Sequence, residues 1–551
     1  MSSETELKFR IPAGQLAAVR RAVATRGAQV VPLAALYFDT SGEHLAHARM
    51  ALRLRREGAS WVQTLKAEGD NAMHRLEHNV PVAKASGPRR PALDLSRHDG
   101  TAAGLALRKV LAAAGDAPLL ARYATQVQRT QRVLRAGEAR VELALDEGRM
   151  TAGPRSLPIC ELEFELLAGQ QQALLDVAGR WVDRFGLVLD LRSKSERGHH
   201  LAAGLQAGPP TKARRLHLPA DATPAQALAA MLANPLGQVL ANASVMADAD
   251  LAEQVAADAE YLHQLRVGLR RLRSLLRVFG PLAPSADAEL APSLGTLFGR
   301  LGAARDQDAM AEWLWPALRA ADAPWVPDAG LATATATAAA AAAADPAAAA
   351  PIGDGVDIGA LLCAPATQRL WLAALALCQP PPEPAVALPV GSEVAPAPAV
   401  PEGHKRNKRN EGNQNSEGSE VPLRDLLRAP LRRLMRQVKH DAARFDDLDD
   451  DTRHRLRRRI KRLRYAAEAV ASLWPAKAVE RSLRSLARAQ EPLGDYNDTV
   501  VALALMRHLA AQDGRAWFVV GWLTARREAL ATPCAEALTR LTRVRGFWQR
   551  R

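Results

Sequence analysis

Cysteine is scarce in this chain. The four residues Cys160, Cys363, Cys378 and Cys534 lie far apart and form no CxxC pair. That spacing points away from a disulfide framework or a zinc site and fits a reducing compartment. Aromatic residues make up only 4% of the sequence, so its helices, visibly rich in alanine, are expected to be loosely anchored. There is no stretch of about 18 strongly apolar residues, and no basic segment leads into an apolar run at the N-terminus. A cytoplasmic protein with no membrane partner is the expectation. "GK" never occurs, which excludes a Walker loop, and HExxH is missing.

What is present is charge. The 551 residues are 48% hydrophobic and 24% charged, a globular composition too long for one ordinary domain. The formal net charge is +14, carried largely by arginine. An anionic partner is implied: nucleic acid, a membrane surface or a phosphate polymer, with arginine suited to bidentate phosphate contact.

The apolar period changes along the chain. Up to about residue 200 it is mostly two, as in "MALRLRRE", "SWVQTLKAE", "ARVELALDEG" and "ICELEFELL", which predicts strands. Helices are predicted near 12–26 and 168–186. Beyond residue 220 the period is helical. The predicted organisation is a β-rich domain over 1–205, a linker over 206–224 and a helical domain over 225–551. Within the last, 327–351 is alanine-rich, and 379–420 is proline-rich and then polar, as expected of a disordered insert.

Alternation puts like residues on one strand face. Glu4, Glu6 and Lys8 share a face opposite Leu7 and Phe9; Arg53 and Arg55 oppose Leu52 and Leu54. Arg75 pairs with Glu77, Glu142 with Asp146, and Glu161, Glu163 and Glu165 stand in a row against Leu162, Phe164 and Leu166. Three carboxylates in a row repel unless a cation sits among them. Two arrangements fit this pattern: a sandwich with one charged outer face, or a closed sheet whose ionised interior holds hard cations and phosphate oxygens.

ExExK at Glu4 to Lys8, Arg53 and Arg55, Lys66 in "QTLK", Arg75 and Glu77, Arg129, "ELALD" ending at Asp146, "CELEFEL" and "SKSERG" with Lys194 and Arg197 follow the order seen in CYTH domains. These are the triphosphate tunnel metalloenzymes, and residues 1–200 resemble them, most closely the bacterial inorganic triphosphatases. The resemblance implies an antiparallel β-barrel tunnel with flanking helices, and a magnesium- or manganese-dependent hydrolase cleaving tripolyphosphate to diphosphate and phosphate. Lys8, Arg53, Arg55, Lys66, Arg75, Arg129, Lys194 and Arg197 would bind the triphosphate. Glu4, Glu6, Glu77, Glu142, Asp146, Glu161, Glu163 and Glu165 would hold metal. Lys66 and Glu163 would be catalytic, and Arg132 is a further candidate for phosphate contact. An adenylate cyclase-type tunnel enzyme or a non-catalytic polyphosphate-binding protein are the alternatives.

The helical half repeats itself. "HQLRVGLRRLR" from His263 aligns without gaps with "HRLRRRIKRLR" from His454, and the segments "LGAARDQD" and "LGDYND" follow them. On each predicted helix a basic arc adjoins an apolar one. His263, Arg266, Arg270, Arg273 and Arg277 form the first; His454, Arg457, Lys461 and Arg464 the second. The pattern resembles the CHAD domain, a helical module associated with polyphosphate, which implies that these residues bind polyphosphate. Asp306, Asp308, Asn497 and Asp498 would cap or orient the helices. No aromatic residue interrupts either arc, which argues against specific nucleic-acid binding and leaves generic RNA contact as the competitor. The fold class expected is therefore α+β: a barrel tunnel followed by an all-α bundle with an internal repeat.

Overall fold

The structure, a computed structural model, describes residues 2–69, 73–82, 90–282, 289–302, 313–326, 357–379 and 422–549. The alanine-rich 327–351 stretch, Asp306, Asp308 and nearly all of the 379–420 insert lie outside the described residues.

The N-terminal part runs β1 (Ser2–Arg10), α1 (Leu16–Val23), β2 (Gln29–Asp39), α2 (His44–His47), β3 (Ala51–Glu57), β4 (Ser60–Glu68) and β5 (His74–Val82). It continues with α3 (Ala102–Ala113), β6 (Leu120–Ala136), β7 (Ala139–Ala152), β8 (Arg155–Ala168), α4 (Gln171–Phe185), β9 (Val188–Leu189) and α5 (Lys194–Ala203). Helices α1 and α4 fall where periodicity placed them; α2, α3 and α5 were not foreseen.

The strands form one antiparallel sheet in the order β5-β4-β3-β2-β6-β7-β8-β1-β9. β1 spans its two ends: Glu6 to Arg10 pair with β8, and Ser2 to Thr5 pair with β5. The sheet is thus curled so that its ends meet along the first half of β1, short of a barrel closed along its full height.

Alternation decides which face is buried in the core. Leu7, Phe9, Leu143, Leu145, Leu162 and Phe164 are buried on one side under Leu174, Val182 and Phe185 of α4. Phe9 meets Phe164 edge-on at 5.4 Å, and Phe164 meets Trp181 at 5.8 Å. α4 ends at Gly186, whose φ of 62° is the left-handed conformation that a side chain would strain.

The remainder is helical: α6 (Pro224–Met246), α7 (Ala252–Ala257), α8 (Glu260–Phe279), α9 (Leu290–Arg300), α10 (313–320), α11 (Ile358–Cys363), α12 (Pro365–Leu377), α13 (Leu423–Ala442), α14 (Asp450–Ala469), α15 (Ala476–Ala510) and α16 (Ala516–Thr542). α6 begins with a capping box at Thr223 and Gln226. The expected apolar arcs are buried: Leu265, Leu269 and Leu272 on α8, and Leu456, Ile460 and Leu463 on α14. One continuous hydrophobic cluster joins the sheet's covered face, α4 and the helices. The 206–224 segment also packs, with Leu218 buried and its N–H donating to Ser472 Oγ at 2.8 Å. Among the described residues, no helix is long and apolar enough to cross a membrane.

Candidate active site and basic helical face

The face of the sheet opposite the core carries the charges, and strand register sets them against one another. Lys8 lies across from Glu163 and Glu6 from Glu165. Asp146 faces Glu161 and Glu142 faces Glu165, Arg129 faces Asp146, and Lys66 faces Glu77. Curvature then brings together side chains from strands that are not neighbours, so the charged face is the enclosed one.

Two groups result. In the first, the Arg129 guanidinium donates to both Asp146 oxygens at 2.7 and 2.6 Å and also reaches Glu163. Lys194, on the first turn of α5, places its ammonium 2.7 Å from Asp146 and 2.8 Å from Glu163 and pairs with Glu161 as well. Arg197, one turn on, also pairs with Glu161. α5 is held in place by Ser193, whose hydroxyl accepts the Glu196 N–H at its N-terminus. In the second group Lys66 lies 2.7 Å from Glu4 and 2.8 Å from Glu77. Arg53 is 3.9 Å from Glu77 and donates to the Tyr37 hydroxyl at 3.2 Å. Arg55 donates to Glu57 at 2.6 Å.

The two groups differ electrostatically. Burial alone would raise Glu163, yet Lys194, Arg129 and Lys8 hold its carboxyl well below the usual range. Burial would likewise lower Lys194, but Asp146, Glu161 and Glu163 outweigh it and keep the ammonium protonated. Glu165 behaves oppositely: burial and then Glu142 push it up to about 7, against Lys66. Glu142 is raised by burial. Glu4 is raised by burial and by its hydrogen bond to Glu77, with Lys66 opposing. At Glu163 the cations outweigh burial, whereas burial prevails at Glu142, at Glu165 and at Glu4, which shares Lys66 with Glu77.

A metal fits where the carboxylates are closest together. Asp146, Glu161 and Glu163 present one carboxylate oxygen each within 4.8 Å of one another, an all-oxygen donor set suited to a hard divalent ion. Two like charges 4 Å apart repel by about 4 kcal/mol at an effective dielectric of 20. A divalent charge offsets several such pairs at once.

Other expected site residues fall differently. Arg132 donates to the Ala22 carbonyl at 2.9 Å, a contact to the α1 helix. The Arg75 side chain lies outside what is described, although its backbone pairs with Glu4. Residues that sequence reasoning missed are Tyr37, stacked on Tyr123 at 4.7 Å, and the quartet Arg10, Asp190, Arg192 and Asp248. Arg10 extends the Glu4-Glu6-Lys8 alternation, a signal that was available; the other three carry no periodic mark.

In the helical region, α8 and α14 pack together and their cations converge. Arg270 and Arg457 crowd Lys461, and burial together with these charges pushes its ammonium down to about 7. Arg464 is engaged by Glu468 at 2.8 Å and Gln490 at 2.7 Å. Arg273 and Arg277 turn toward Arg458 and Arg462, whose positions were not singled out, and burial and these charges push Arg462 down to about 10. Arg266 is buried, its guanidinium 4.6 Å from the Phe298 ring, which also takes Arg270 at 5.9 Å and Arg273 at 5.2 Å. The aromatic partner missing from the arcs is thus supplied by α9. Asn497 and Asp498 lie within the continuous helix α15, so they cap nothing. Instead Asn497 bonds His454, and Asp498 lies 3.4 Å from Arg457.

A curled antiparallel sheet with an ionised enclosed face, followed by helices that gather cations, defines the class of protein. Residues 2–192 match the CYTH domain and residues 237–507 the CHAD domain, so the chain carries a CYTH domain followed by a CHAD domain. It is 29% identical over 170 residues to an inorganic triphosphatase of Haemophilus influenzae, covering 30% of this chain and 45% of that relative, less than half its length. Among solved structures, the CHAD domain from the plant Ricinus communis is 27% identical, with 62% of this chain and 99% of that one covered at a TM-score of 0.42. A Hippeastrum protein described as a putative adenylyl cyclase with a dominant triphosphatase activity is 18% identical, with 37% and 96% covered at a TM-score of 0.27.

Proposed function

We propose that the protein is a metal-dependent inorganic triphosphatase that cleaves tripolyphosphate to diphosphate and phosphate. The observation that carries this reading is the enclosed face on which carboxylates and cations alternate, with Lys194 and Arg129 set among Asp146, Glu161 and Glu163. A pure anion receptor has no use for that carboxylate set, which weakens phosphate binding unless a cation occupies it. The CYTH match and the triphosphatase relative support the same reading.

Lys8, Arg53, Arg55, Lys66, Arg129, Lys194 and Arg197 would bind the phosphate chain, exchanging some carboxylate partners for phosphate oxygens. Asp146, Glu161 and Glu163, with Glu4, Glu6, Glu77, Glu142 and Glu165 around them, would hold magnesium or manganese. The ion supplies Lewis-acid neutralisation of the phosphate oxygens. Phosphoryl transfer asks a protein mainly for positioning and charge stabilisation. Lys66, kept protonated by Glu6, Glu4 and Glu77 against the effect of burial, offers a fixed positive charge. Glu163, kept ionised, holds Lys194 and Arg129 in place.

The helical region would bind polyphosphate on Arg270, Arg457 and Lys461, whose mutual crowding an anion relieves. A cytoplasmic location, in keeping with four free cysteines, and a division at 1–205 and 225–551 belong to the same proposal.

The test is phosphate release from tripolyphosphate, and from ATP with cyclic AMP measured in parallel, each with magnesium, manganese or chelator. Metal-dependent release from tripolyphosphate, reduced at least about 100-fold in Glu163→Ala, is expected. Cyclic AMP would replace the hydrolase by a cyclase, and silence on every substrate would leave a binding protein.

A further inference from the structure

The end of the sheet nearest the helices is built as a two-sided clamp. Lys8 donates its ammonium to the main-chain oxygen of Arg192. That oxygen belongs to a segment anchored on both flanks. Toward the sheet, β9 pairs with Phe9 and Arg10, and the Asp190 N–H donates to the Lys8 carbonyl at 2.9 Å. Toward the helices, the Leu189 N–H donates to Gln368 of α12 at 2.8 Å and the Leu191 N–H to Ser244 of α6 at 3.1 Å.

A charge quartet, buried at Asp190 and Arg192 and half-buried at Arg10 and Asp248, locks the segment. The Arg192 guanidinium spans both Asp190 oxygens at 2.9 and 2.6 Å and reaches Asp248 at 2.6 Å. Arg10 reaches the other Asp248 oxygen at 3.0 Å and the Ala247 carbonyl at 2.5 Å. Asp190 and Arg192 are 2% and 7% exposed. With Asp248 present, two guanidinium groups face two carboxylates. Without it, both would share Asp190, and a buried pair that loses a partner is strongly destabilised, which loosens the segment that Arg192 anchors. The backbone in question carries the Lys8 acceptor and leads through Ser193 into Lys194.

We propose that Asp248, a residue of the helical region, is a positioning residue for the charged tunnel, holding Arg192 so that its carbonyl aims Lys8 at the phosphate chain. The inference rests on the reading that the tunnel takes a triphosphate. It makes the helical region a structural part of that site rather than an appended binding module.

The experiment is a double-mutant cycle on the full chain, read by calorimetry with magnesium present as affinity for a tripolyphosphate analogue whose bridging oxygens are replaced by imido groups, so that turnover plays no part. Asp248→Asn is expected to weaken binding about tenfold, Asp248→Glu to restore most of it, and Asp248→Asn in a Lys8→Met background to change it less than about twofold. Unchanged affinity in Asp248→Asn, or an equal loss with and without Lys8, overturns the proposal. Thermal unfolding monitors each variant. If Asp248→Asn does not fold, Ser244→Ala, which removes the Leu191 bond together with the hydroxyl's own bond to the Leu240 carbonyl of α6, is read in the same cycle, with a loss of about threefold expected that depends on Lys8. Phosphate release by the wild-type chain with magnesium separates the two readings. Release without coupling overturns only the positioning role, coupling without release overturns only the hydrolase, and absence of both release and analogue binding with magnesium overturns both.

Discussion

Lys194 shows how much one side chain can decide. Its ammonium contacts Asp146, Glu161 and Glu163 together, so its removal leaves three carboxylates with less cation among them and takes away a proposed phosphate ligand. Lys194→Met is expected to lower kcat/KM for tripolyphosphate by about 100-fold or more, measured as initial phosphate release. Lys461 tests the helical face. Burial, Arg457 and Arg270 lower its ammonium to about 7, so it is mostly neutral above that pH. A bound polyanion favours the charged form, and binding therefore takes up a proton. Affinity for polyphosphate should fall about tenfold from pH 6 to pH 8, read by calorimetry at the two pH values, and Lys461→Arg should flatten the dependence.

At the scale of elements, each strand of the sheet serves two purposes at once. β8 directs Leu162 and Phe164 into the core while Glu161, Glu163 and Glu165 face inward. A one-residue slip would exchange the two sets, so the hydrophobic face fixes the register of the charged one. Phe164→Ala should therefore destabilise the protein by about 3–5 kcal/mol, measured by denaturant unfolding. Glu163→Gln, one residue away, should leave stability less affected than activity. The α8–α14 pair works similarly: buried leucines set the helix contact, and that contact brings Arg270 to Arg457 and Lys461.

For the whole molecule, the +14 net charge is distributed unevenly in its consequences. In the sheet, cations are matched by carboxylates, whereas on α8 and α14 they crowd one another. Long polyphosphate should accordingly bind the helical face with strong salt dependence. If Arg270, Arg457 and Lys461 each make a phosphate contact, the slope of log K against log salt should be about −2, measured by titration across salt concentrations. A slope near zero would remove the helical face from the account.

Alternation and helical periodicity, both local properties, were enough to read the division into a strand-rich and a helical part, the buried leucines of α8 and α14, and the charged face carrying Glu4, Glu6, Lys8 and Glu161 to Glu165. Only folding decided which charges meet. Lys66 finds Glu4, and Arg129 finds Glu163, by curvature across intervening strands. Phe298 reaches the basic arc from a separate helix. Asp248 joins Arg10 and Arg192 from the helical region. The physical reason is that a side chain's face is set by backbone geometry within a few residues, whereas its partner, and so its charge state, is set by packing between elements distant in the chain.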